Sequence, residues 1–81
     1  MSSMQIDKTL NLGNRINKLF LKDTDLYVST QDIVKYNINT GSKLNTYNIQ
    51  KYKFATALYV NEKYIYAGYK NGNIIKYDIN T

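Results

Sequence analysis

Residues 67 to 80 read AGYKNGNIIKYDIN, and residues 28 to 39 read VSTQDIVKYNIN. The later phrase is a varied copy of the earlier one. KYNINT begins at Lys35 and KYDINT at Lys76, 41 residues apart. Upstream, LFLKDTDLYVST (residues 19 to 30) aligns with LYVNEKYIYAGY (residues 58 to 69) at a spacing of 39. The two spacings differ because TQD in the first copy becomes YKNGN in the second. Insertions belong in turns, and Asn71-Gly72 is a strong turn signal. A period of about 40 residues governs the chain, so the fold has to be read as a repeat.

Within each copy the apolar residues fall into short runs rich in β-formers. Leu19, Phe20 and Leu21 precede the turn KDTD; Leu26, Tyr27 and Val28 follow it; Ile33, Val34, Tyr36 and Ile38 come next. The second copy gives Leu58, Tyr59 and Val60, the turn NEK, the run from Tyr64 to Ala67, then Ile74, Ile75, Tyr77 and Ile79. NTGSK (residues 39 to 43) is a further tight turn leading into KLNTYNI (residues 43 to 49). Runs divided by Asp, Asn and Gly, with no sustained helical spacing, are strands. Each copy is therefore expected to be a four-stranded antiparallel meander, a–b–c–d, in an all-β chain.

A four-stranded unit recurring at this period is the signature of a propeller blade. AGYKNGNIIKYD resembles the WD-repeat family at particular residues. Ala67-Gly68 stands at that family's small Ser-Gly-like pair, Asn71-Gly72-Asn73 at its Asp-Gly-Thr turn, and Tyr77-Asp78 at its Trp-Asp dipeptide. Tyr36-Asn37 holds the last place in the first copy. The resemblance spans residues 16 to 81. The family's Gly-His pair and its Trp are absent, so its buried His–Asp network cannot form here. The resemblance implies a WD-like β-propeller, with Tyr36 and Tyr77 as structural packing residues between blades. Tyr64 and Tyr66 share one face of strand b and Ile65 and Ala67 the other, and both pairs are expected as interblade contacts, since both faces of an inner blade are buried.

KTLNLGN, before the first copy, is similar in composition to KLNTYNIQ, which precedes the second. Residues 4 to 12 are thus expected to be a strand d belonging to a neighbouring blade. Residues 15 to 50 form the first blade and residues 54 to 81 strands a to c of the second, in the order d–abcd–abc. Propellers need about four to eight blades. The two-blade segment 1 to 81 is then either a piece of a longer propeller or a homo-oligomer of roughly three or four chains.

Composition narrows the chemistry. The 81 residues contain no Cys and no His, which removes disulfides, thiolate ligands and the commonest general base. The carboxylates, among them Asp23 and Asp25 around Thr24, read as turn residues. No enzyme, cofactor or metal is expected. No apolar run approaches the roughly 18 residues of a membrane span, and MSSMQIDK has no secretory pattern. An intracellular setting, cytoplasmic or nuclear, without membrane association, is the expectation.

Net charge is +5, with Arg15 the one arginine. In the expected topology the d–a and b–c connections share one rim, which receives Arg15, Lys51, Lys53 and Lys70 against Asp32. The a–b and c–d turns share the other, where Lys22, Lys43 and Lys63 meet Asp23, Asp25 and Glu62. The first rim is net basic, and Tyr52 sits there between two lysines. The expected function is a non-enzymatic protein-interaction scaffold whose basic rim (Arg15, Lys51, Tyr52, Lys53, Lys70) binds acidic or phosphorylated segments of other proteins. Nucleic acid stacked on Tyr52 is the second reading, and a small carbohydrate-binding propeller the third.

Overall fold

A computed structural model of the chain describes residues 3–48 and 53–80. They form seven strands in two open antiparallel sheets, with no helix among them. The first sheet runs β1 (Lys18–Lys22), β2 (Asp25–Ser29), β3 (Ile33–Asn37) and β4 (Lys43–Tyr47) in sequence order. The second runs β5 (Ala57–Val60), β6 (Tyr64–Gly68) and β7 (Ile74–Asp78). Every strand pairs with its neighbour in sequence, as a meander requires.

The repeat holds down to backbone bonds outside the strands. Asn17 N–H donates to the Ser29 carbonyl, and Thr56 N–H to Gly68. Thr30 donates to Asp32 as Tyr69 does to Asn73, and Ile38 to Thr24 as Ile79 does to Lys63. The two extra residues of the second copy lie in the β6–β7 turn. There Gly72 adopts φ 90° and donates its N–H to the Tyr69 carbonyl, a conformation glycine takes without steric cost. Asp23, in the β1–β2 turn, takes φ 56°, which aspartate tolerates better than branched residues do. Asn61 closes the β5–β6 turn by accepting the N–H groups of Lys63 and Tyr64 on its side chain.

Alternation along the strands gives each sheet two faces. From the first sheet Phe20, Tyr27, Ile33 and Tyr47 face the second; from the second, Leu58, Val60, Ile65, Ala67, Ile75 and Tyr77 face back. The Ser29 hydroxyl donates to the Ala55 carbonyl at 2.8 Å, a buried bond that pins the connection between the sheets. Tyr27 and Tyr47 stack with ring centroids 6.4 Å apart, and Tyr69 and Tyr77 join hydroxyl to hydroxyl at 3.0 Å. This layer is the larger core.

A smaller cluster lies on the far face of the first sheet, where Leu12 and Leu26 pack on Val28, Val34 and Tyr36. Residues 3 to 17 contain no strand. The segment 8–12 instead lies along the first sheet: Lys8 donates to the Asn39 carbonyl, and Leu10 approaches Gly41. The strand expected at 4–12, assigned to a neighbouring blade, is not formed within the single chain.

The far face of the second sheet has no such cover. Tyr64 and Tyr66, expected as interblade contacts, are half-buried there, with Tyr66 touching Tyr59 and Lys76 lying 4.3 Å over the Tyr64 ring. Among the described residues no other sheet lies across from them.

Candidate functional site

Arg15 precedes β1, Lys53 precedes β5, and Lys70 sits in the β6–β7 turn. A meander brings these connections to the same end of the sheets, and the three cations line one cleft of about 540 Å³ with Phe54 and Tyr69. A second cleft of about 410 Å³ adjoins it through Arg15 and Phe54 and is bordered by Asp32 and Lys43. Lys51 and Tyr52 lie outside the described residues. Of the five residues expected at the basic rim, Arg15, Lys53 and Lys70 line this one cleft.

Its electrostatics are unequal. Lys53 donates to Asp32 at 3.1 Å, so the one acidic group of this end is already engaged with a rim lysine. Among the described residues neither Arg15 nor Lys70 makes an ion pair. An anion entering the cleft meets two cations that give up no carboxylate to receive it. Lys43, assigned by sequence to the opposite rim, starts β4 with its side chain along the second cleft. It lies on the far face of the first sheet, paired in register with Tyr36.

Phe54 was not singled out by sequence. It stands between the two clefts, 47% exposed, with φ 61°. A bulky non-glycine residue in the left-handed region is strained, and such strain gathers at functional positions. The signal available was KYKF, residues 51 to 54: an aromatic directly beside a rim lysine, on the other side from Tyr52.

The structural tyrosines fall on matching faces. Tyr36 is buried on the far face of the first sheet, and Tyr77 is half-buried on the inner face of the second. Allowing for the repeat, these are the same face of the repeating unit. Tyr69, which lines the cleft from beneath, has its phenol pushed well above the usual tyrosine range. Burial is the main cause, followed by its bond to Tyr77 and by charge on Tyr77. It therefore stays a neutral hydrogen-bonding group at any physiological pH.

The opposite end carries Lys22 and Asp23 in an exposed ion pair at 3.4 Å, with Glu62 and Lys63 nearby across a shallow depression. Among the described residues no three side chains of metal-binding type gather together, and no helix is long and apolar enough to cross a membrane. Comparisons with family models and with curated proteins find no match to this chain.

Proposed function

We propose that the chain is a WD-like propeller segment serving as a non-enzymatic protein-interaction scaffold, and that the Arg15–Lys53–Lys70 cleft holds an acidic or phosphorylated segment of a partner protein. The observation that carries this reading is convergence. Three connections far apart in sequence deliver cations around one strained, exposed phenylalanine. Guanidinium and ammonium groups suit carboxylate or phosphate oxygens, and Phe54 offers an apolar contact for a neighbouring side chain. Aromatic anchors with charged surroundings are what compact protein-recognition sites use.

The experiment is direct binding of fluorescent acidic and phosphorylated peptides to the wild type and to two double variants. Arg15→Glu with Lys70→Glu is expected to weaken binding at least tenfold. Lys22→Glu with Lys63→Glu, at the other end, is expected to leave it intact. Both keep the wild-type melting temperature, since charge changes on exposed positions move stability by about half a kcal/mol. Equal loss from both pairs would mean that net charge alone is responsible, which overturns the assignment of the cleft. A single-stranded oligonucleotide run in parallel addresses the nucleic-acid reading, which Phe54 beside cations also favours; tighter, steeply salt-dependent binding of the oligonucleotide would replace the peptide reading.

A further inference from the structure

The contact between the two sheets is head to tail. The inner face of the first sheet presents Phe20, Tyr27 and Ile33; the repeat places Tyr59, Tyr66 and Ile74 at the same positions on the far face of the second. The inner face of the second sheet presents Leu58, Val60 and Ala67; the repeat places Leu19, Leu21 and Val28 at those positions on the far face of the first. One chain therefore contains a formed interface and, at its two outer faces, a second set of both halves, with the Tyr59 ring at the β5 edge also touching Phe20 of the first sheet, ring centroids 5.4 Å apart. Chemical character is kept at every one of these positions: aromatic for aromatic, aliphatic for aliphatic.

We infer that copies of this chain associate head to tail, the far face of the second sheet of one copy docking on the far face of the first sheet of the next. This rests on the propeller half of the proposed function and not on what the basic cleft binds. The occupant is a second copy because the faces match the sheet–sheet contact already present within the chain. Exposure fits the same reading. Ile74 is 77% exposed, and Leu19 and Leu21 are 52% and 55% exposed, although their repeat partners Ile33, Leu58 and Val60 are buried. A contact in which different surfaces meet is heterologous, so it adds copies until the rotation closes a ring or extends a filament. Docking also requires the segment carrying Leu12 to leave Val28, Val34 and Tyr36. That cover is a single half-buried leucine facing replacement by an aromatic sheet face.

The test uses sedimentation or light scattering on the full chain with one charge placed on each face. Wild type is expected at several times the mass of one chain. Leu21→Lys blocks the first-sheet face and Ile74→Lys the second-sheet face, and each variant alone is expected as a single folded chain. Mixed in equal amounts they are expected to form a two-chain species, because one intact face of each kind remains. If circular dichroism shows that either lysine variant has lost its sheet, Leu19→Glu or Tyr66→Glu replaces it on the same face. A monomeric wild type, variants that still assemble, or a mixture that stays monomeric would each overturn the inference. None of these outcomes bears on peptide binding at the basic end.

Discussion

The two sheets share a repeat and nearly every turn, yet they end up in different surroundings. The first has its fourth strand, and part of its far face is closed by Leu12. The second has three strands, and its far face carries half-buried or exposed tyrosines with an exposed isoleucine. The same repeat position is therefore core in one copy and surface in the other. Ile65 is fully buried between the sheets, while its counterpart Leu26 is half-buried on an outer face. A repeat specifies which face of a strand is apolar; its neighbour decides whether that face is dry.

The sharpest way to break this comparison is a pair of truncations at one repeat position. Ile65→Ala is expected to destabilise by about 3 kcal/mol and Leu26→Ala by less than about 2 kcal/mol, because a cavity forms only where packing surrounds the deleted atoms. Denaturant unfolding of both variants checks the ranking. Equal losses would mean that the two sheets are equally enclosed.

Alkaline pH sharpens the comparison at the shared layer. The Tyr27 phenol is pushed up to about 12 from 10.0, by burial first and then by charge on Tyr47 and Asp25. The folded chain holds this proton more tightly than the unfolded chain does. The resulting stabilisation is complete below pH 10 and is lost as pH rises from 10 through 12. Melting temperatures are expected to fall across that window, and less steeply for Tyr27→Phe. A wild type whose melting temperature stays flat to pH 12 would place Tyr27 in water.

The smallest expected difference lies between two hydroxyls in the same layer. Tyr77, from the second sheet, shares a hydrogen bond with Tyr69, whereas the Tyr47 hydroxyl of the first sheet is buried without a partner among the described residues. Tyr77→Phe is expected to cost about 1 kcal/mol, and Tyr47→Phe to leave stability unchanged within about 0.5 kcal/mol. Thermal melts of the two variants decide it.

Seven strands and their turns were legible because alternation and Asn-Gly or Asp-rich punctuation are local properties. The insertion at YKNGN, the hairpin at KDTD and the order of strands all follow from residues within a few positions of one another. The clustering of Arg15, Lys53 and Lys70 was legible too, since a meander fixes which connections share an end. What escaped the sequence depends on partners across space. Residues 4–12, expected as a strand d of a neighbouring blade, take no strand within the single chain, because that strand needs an edge from another blade. Tyr64 and Tyr66, expected as interblade contacts, are half-buried within the single chain, because that expectation concerns a neighbouring blade. The strain at Phe54 is a backbone angle imposed by the connection around it, and no residue type announces that.

The nearest-neighbour pairing of every strand bears on how the chain acquires its structure. Each sheet can zip from one hairpin to the next, and all strand pairings within a sheet are between segments joined by a short turn. The docking of β5 beside β1, with the Ser29–Ala55 bond, and the seating of residues 8–12 along the first sheet bring distant segments together. Pairing within each sheet closes short loops, so the entropy of closing longer ones falls chiefly on these dockings. Each meander is expected to form early and the layer between them late. Truncations in the layer, such as Ile65→Ala, should then appear mainly as faster unfolding, with refolding rates little changed.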